Sequence, residues 1–366
     1  MTTSNGEAAA QPLYAALKLR DDFEVVWAGV NPLLAGFCFG FEDGRLVFVD
    51  ESGQIVYGPE KGSQSGEAVN GVAGIDRADK WLAVSSRAEV TFWGLPQKPE
   101  DKTKVASFPH GAHGVIATPA GSFVAALGRT GFMIVKPPFG PRPPVTISAG
   151  LKGELNFYRL VSLRSDDRSE LLVCAGRKGG IGIIPFEWGQ NKNEVGTIRY
   201  PNMDVVDVCS LAPGSLAVGA VSRDGEIVLV RDVLQDKLPV GIKFEQTEGT
   251  AYRVLCSQGD LFLLTSKGLH VLSKLAERFV RGESLDRIAT STLTIPMEVV
   301  DANIVNDKWL LVLTPDEVRR FDLDVLRHQS NKTAITAPSP MWQPSFLAGA
   351  WEEEQMEQKM ELTTVG

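Results

Sequence analysis

The residues able to do chemistry fall into few groups. His110 and His113 stand three apart in Pro-His-Gly-Ala-His-Gly, a spacing from which two imidazoles reach one metal if the segment is helical. Gly111 and Gly114 argue for a loop instead, and His270 and His328 have no obvious Cys or carboxylate companion. No nucleophile elbow, phosphate-binding loop or HExxH pair occurs. What does recur is positive charge in short turns: Arg87, Arg129, Arg177 with Lys178, Arg223 and Lys267. No polar constellation demands catalysis, so no catalytic residue, metal or cofactor is assigned.

The elements that position those turns follow from the composition of the whole chain. Its 366 residues are 43% hydrophobic and 22% charged, enough to bury a large core and unlike a disordered polymer. Lys plus Arg total 37 against 45 Asp plus Glu, a net charge of −8, which argues against broad nucleic-acid binding. The longest apolar candidate, Pro32 to Phe41, is interrupted by Gly36 and Gly40 and falls short of the ~18 residues a spanning helix needs, so no membrane insertion is expected. The opening Met-Thr-Thr-Ser-Asn-Gly-Glu lacks the basic and apolar regions of a signal peptide and reads as a flexible tail. Cys38, Cys174, Cys209 and Cys256 are scattered singly through apolar segments, which predicts unpaired thiols in a reducing, cytoplasmic setting.

One unit recurs. A short charged turn, often ending in Gly, precedes a strand with apolar residues at alternate positions, starting near Gly44, Ala88, Gly131, Gly180, Gly225, Gly268 and Asp316, at intervals of 43 to 49 residues. Each copy follows a strand rich in small residues, such as LLAGFCFG, FVAALG and LAVGAVS. A unit reads as four strands, A to D, with the turn joining B to C. In the fifth unit they lie near Val205–Leu211, Leu216–Val221, Glu226–Arg231 and Pro239–Phe244. A four-stranded sheet cannot bury both faces alone, whereas sheets stacked radially around an axis can. The last copy lacks a D strand, and Leu13–Leu19 (LYAALKL) is an alternating segment able to supply it and close the ring.

On these features the chain resembles the WD40-like seven-bladed β-propellers from about Leu13 to His328. The nearest local matches are Asp224–Asp232 (DGEIVLVRD) and Glu89–Trp93 (EVTFW). The family's Gly-His pair is absent and its Trp-Asp dipeptide never appears intact, so its structural Asp–His–Ser/Thr–Trp network is not carried over. The expected fold is all-β: a seven-bladed β-propeller over 13–328 closed by an N-terminal strand, preceded by a tail at 1–12. A linker and acidic Trp-containing extension at 329–366 follow it. Asn156, Asp207, Asp301 and Asn303 fall near inner-strand ends. Sugar-lactone hydrolases of propeller architecture bind a divalent cation through such groups, but here no motif fixes that geometry and the residues read as strand-end caps.

In this blade order the B–C turns share one face of the disc with the D–A connections. The basic turns of the second to sixth copies then form a positive sector, closed by Glu42, Asp43, Asp316 and Glu317 in the first and seventh. Such a face can steer an acidic peptide; exposed hairpin turns also carry charge for solubility alone. The end of the chain is the second candidate. Trp351–Leu362 holds five Glu against Lys359 alone, and Phe346, Leu347 and Trp351 add large apolar groups. It is suited to a partner's groove, to its own propeller, or to a frayed acidic end. Lys136–Pro144 is Pro-rich and reads as the C–D connection of the third unit, and Leu275–Gly282 as a short helix ending at Gly282. The expected function is a noncatalytic scaffold that holds partner proteins in an assembly. The alternatives are a metal-dependent hydrolase or lyase with an axial site, or a small-ligand sensor.

Overall fold

The computed structural model describes residues 14–17, 25–30, 36–51, 55–63, 65–76, 80–95, 103–108, 111–127, 131–137, 145–147, 156–165, 168–177, 180–187, 197–199, 203–235, 239–242, 249–285, 287–293, 299–314, 318–330 and 334–336. Among them, strands form seven antiparallel sheets in chain order. Blade 1 is Val25–Val30, Gly36–Phe41, Arg45–Asp50 and Ile55–Lys61; blade 2 is Val69–Asp76, Lys80–Ser86, Val90–Leu95 and Thr103–Phe108. Blade 3 is Gly114–Ala117, Phe123–Ala126, Phe132–Val135 and Val145–Ile147; blade 4 is Asn156–Ser165, Ser169–Arg177, Gly180–Glu187 and Thr197–Arg199. Blade 5 is Val205–Ser210, Val218–Ser222, Ile227–Val230 and Val240–Ile242; blade 6 is Ala251–Ser257, Asp260–Thr265, Gly268–Ser273 and Arg287–Leu293. Blade 7 has Asp301–Val305, Trp309–Leu313 and Val318–Asp322, and its outer strand is Tyr14–Leu17 from the other end of the chain. Tyr14 pairs with Phe321 and Leu17 with Val318, so the expected closing strand is in place.

Each A strand packs against the A strands of both neighbours, and that of blade 7 against that of blade 1, which closes the ring around an axis. The core is divided accordingly, with one apolar cluster at each of the seven blade junctions among the described residues. Strand alternation explains the division. In blade 1, Phe37, Phe39 and Phe41 enter the junction with blade 7, while Cys38 between them enters the junction with blade 2. Both faces of a blade are therefore buried, which is why the B and C strands read as nearly continuous apolar runs.

Among the described residues, two short helices lie on the face opposite the B–C turns. Helix α1, Leu275–Arg281, joins strands C and D of blade 6 and ends at Gly282, whose positive φ of 74° lets its N–H reach Arg278 O and Phe279 O. Helix α2, Leu323–Ser330, follows the last C strand and buries Leu323 and Leu326 in the junction of blades 6 and 7. Asp260 secures both helices: Oδ1 accepts the Lys274 N–H at 2.7 Å and Oδ2 accepts Arg327 Nε at 2.8 Å. Beyond α2, Ala334–Thr336, in the stretch expected to be linker, adds a fifth strand to the outer edge of blade 6. Strand C ends at Val135 and strand D begins at Val145 in blade 3, so the Pro-rich run is their connection.

Candidate functional site

The axis is where polar side chains converge. In five blades the A strand carries a register shift near its start: between Val25 and Trp27, Val69 and Gly71, Phe157 and Arg159, Val205 and Asp207, and Ala251 and Arg253. A bulge of this kind inserts one residue and re-aims the next side chain. The residues just after it, Trp27, Gly71, Arg159, Asp207 and Arg253, all line a central cavity of about 580 Å³. Gly71 is required there, because a Cβ would lie 2.8 Å from the Val115 backbone nitrogen of the next blade.

Four charged groups meet in this cavity. Arg253 Nε donates to Asp207 Oδ2 at 2.7 Å, and its Nη1 donates to Asp301 Oδ1. Arg159 Nη2 reaches the same Asp301 oxygen at 2.9 Å. The Val254 and Ala302 N–H groups complete the carboxylates, each at 2.9 Å. Burial works to raise the pKa of Asp301, but the charges of Arg159 and Arg253 overcome it and hold the carboxyl below its ordinary range. Burial would depress Arg253, and Asp207 and Asp301 more than offset it, so its pKa is raised. Two arginines and two aspartates balance to zero net charge. On each carboxylate one oxygen, Asp207 Oδ2 or Asp301 Oδ1, accepts from an arginine and from a backbone N–H. Among the described residues no three metal-ligating side chains converge.

Asp207 and Asp301, which the sequence suggests as separate strand-end caps, are thus parts of one network. Asn303 instead bonds across a junction, its Nδ2 donating to Ala28 O at 2.6 Å. Nothing in the spacing rules pointed to Arg159 or Arg253. The signal was present, however: Tyr158-Arg159 and Tyr252-Arg253 are the same dipeptide at the same place in blades 4 and 6.

The strands of each sheet alternate in direction, so the start of every A strand lies on the face that carries the B–C turns. Arg87 and Lys267 are exposed there and make no ion pair among the described residues. Arg223 is also exposed, but its Nε is held by Asp204 Oδ2 at 2.7 Å. Glu42 is exposed, while Asp43 pairs with Arg45. Arg177 ends strand B of blade 4. Arg129, Lys178, Asp316, Glu317, Phe346, Leu347 and Trp351 lie outside the described residues.

Of the two-histidine motif, His110 lies outside the described residues, and the segment from Gly111 to His113 ties two blades together. The Ala112 N–H donates to Ser86 O at 2.9 Å and the His113 N–H to Ala126 O at 2.7 Å, strapping blade 2 to blade 3. Gly111 passes so close to the Arg87 turn that a Cβ would sit 1.6 Å from the Arg87 carbonyl oxygen. His270 is buried, with Nε2 3.0 Å from Thr265 Oγ1 and Nδ1 3.0 Å from Thr292 Oγ1. Burial, helped by Lys267, pushes its pKa down to about 4. The four cysteines are free, and burial raises the thiol pKa of each. No described helix is long and apolar enough to cross a membrane.

No family model matches the chain, and no curated protein matches it. Solved structures do. The β-propeller domain of Cps50 (Swd1) from Myceliophteria thermophila is similar with a TM-score of 0.61 and 13% identity, over 82% of this chain and 97% of that one. The WD40 β-propeller domain of Doa1 is similar with a TM-score of 0.59 and 13% identity, over 84% and 95%. Raptor from Chaetomium thermophilum matches with a TM-score of 0.57 and 11% identity, over 82% of this chain but 28% of its own length. The chain therefore has the fold of the WD40-type β-propellers, with seven blades and its ring closed by the N-terminal strand.

Proposed function

We propose that this chain is a noncatalytic interaction platform that holds partner proteins in a multiprotein assembly. The observation that carries the reading is the division of labour among its charges. At the axis, Arg159, Arg253, Asp207 and Asp301 neutralise one another, whereas Arg87 and Lys267 stand exposed and unpaired among the described residues on the surrounding rim. A rigid disc with a positive rim suits capture of an acidic segment, since exposed charges steer association and select partners. Arg129, Arg177, Lys178 and Arg223 belong to the same set of turns by sequence. The acidic extension after the ring, with Phe346, Leu347 and Trp351, is assigned to a second contact. The free cysteines support placement in a reducing compartment such as the cytoplasm.

The test is affinity capture by the full chain, by a charge-reversed Arg87→Glu/Lys267→Glu variant, and by a chain ending at residue 338. The platform reading expects each change to lose partners at unchanged melting temperature, with the rim contacts more salt-sensitive. Identical captured sets for all three would refute it.

A further inference from the structure

We propose that Arg159 is the residue through which the axial mouth receives a carboxylate from a bound partner. An acidic peptide side chain there replaces Asp301 as its ion-pair partner. The inference rests on the platform reading and names the group recognised at its centre.

Three observations single out Arg159. First, it is redundant where it stands. Asp301 Oδ1 accepts from Arg159 Nη2, from Arg253 Nη1 and from the Ala302 N–H, so release of Arg159 leaves that carboxylate with two donors, one of them a charged guanidinium. Second, it is the most accessible of the four charged groups, with 27% of its side chain exposed against 10% for Arg253, 8% for Asp301 and 1% for Asp207. Third, it uses a single guanidinium nitrogen in its described contact, while a guanidinium fork matches a carboxylate with two parallel bonds. Arg253 lacks this freedom because both of its ends are committed to carboxylates.

The surroundings select an anion. Blade 4, which supplies Arg159, is the middle of the five blades whose B–C turns are basic. An incoming ammonium group would pass that rim against repulsion and find Asp207 and Asp301 already bonded. An incoming carboxylate is drawn by the rim and takes Arg159 while Asp301 keeps Arg253 and the Ala302 N–H, so each charged group retains a partner and the one added negative charge faces the basic rim. The cavity of about 580 Å³ admits a side chain and leaves the peptide backbone at the mouth.

The test uses the full chain and fluorescein-labelled hexaglutamate, with hexaglutamine as the neutral probe, followed by fluorescence anisotropy at low salt. Hexaglutamate is expected to bind, and Arg159→Gln to weaken it about tenfold while leaving the weak hexaglutamine signal unchanged. Arg87→Ala/Lys267→Ala should weaken hexaglutamate with a steeper loss of salt dependence. If the rim variant weakens binding and Arg159→Gln does not, the axial subsite is wrong and the platform reading stands. If hexaglutamate does not bind the wild-type chain, both fail. Should Arg159→Gln unfold, Arg159→Lys decides: it keeps the charge beside Asp301 but not the fork, so undiminished binding overturns the proposal and weakened binding supports it.

Discussion

Arg159 and Asp301 are bonded at 2.9 Å although they belong to blades 4 and 7, on opposite sides of the axis. Their ion pair is a crossbar. Arg253 of blade 6 joins it and extends it to Asp207 of blade 5, so four blades meet in one charged network. Elsewhere the ring is held by contacts between neighbours; here it is also tied across its centre.

The crossbar makes unequal demands on its members. Arg253→Met leaves the buried Asp207 with a lone backbone donor and should cost about 3–5 kcal/mol, because it strands a buried charge. Arg159→Gln should cost about 1 kcal/mol or less, since Asp301 keeps Arg253. Urea midpoints of the two variants check the order. The Asp301 contribution should be complete above the unfolded carboxylate pKa of about 3.9 and disappear as pH falls through its lower folded value.

His270 gives a second, milder acid sensitivity. Its folded pKa of about 4 lies below the unfolded value of about 6.5, so the unfolded chain takes up the proton first as pH drops. The His270 contribution should fall between about pH 6.5 and 4, by an amount on the order of 3 kcal/mol, and level off below. Comparing unfolding free energies at a series of pH values for wild type and His270→Gln checks this. A wild-type profile no steeper than the variant's would contradict it.

Glycine at position 36 is fixed by geometry. It has φ of +142°, and a Cβ would lie 2.1 Å from the Val49 carbonyl oxygen in the adjacent strand. Gly36→Ala should therefore lower stability by roughly 1–3 kcal/mol. Thermal unfolding reads the loss, with Gly66→Ala as a milder control. Gly66 also has positive φ but nothing within 4 Å.

Much of the fold was legible because its signal is local and repeated. The period, the short apolar runs of strands such as Ile227–Val230, and the stop at Gly282 each follow from neighbours in sequence. The closing strand was legible by subtraction, from a final unit short of one strand. The axial network was not, because Arg159 and Asp301 are 142 residues apart and a register shift sets the direction of Arg159. Bulges leave no fixed motif, and single charged residues in apolar strands look like surface positions until the ring is assembled. The fifth strand at Ala334–Thr336 escaped for a related reason: three residues carry no periodicity.

The two chain ends should differ in their effect on the ring. Removing residues 1–20 deletes the strand paired to Val318–Asp322 and exposes a long edge, so the melting temperature should fall by several degrees and aggregation should increase. Asp260→Ala should destabilise the helix pair on the other face. It leaves Arg327 without its 2.8 Å partner and the Lys274 N–H without its acceptor. Calorimetry of both variants tests whether the ring melts as one unit; two separate transitions would argue against the closure described above.

The claim that this disc captures proteins through its basic rim is tested most directly by quantitative crosslinking of the full chain in native extract, with Arg87→Glu/Lys267→Glu alongside. At about 150 mM salt, where surface charges are screened beyond ~8 Å, wild-type crosslinks should concentrate on the B–C face and be at least severalfold fewer in the variant. Crosslinks distributed evenly over both faces and unchanged by the double substitution would contradict it.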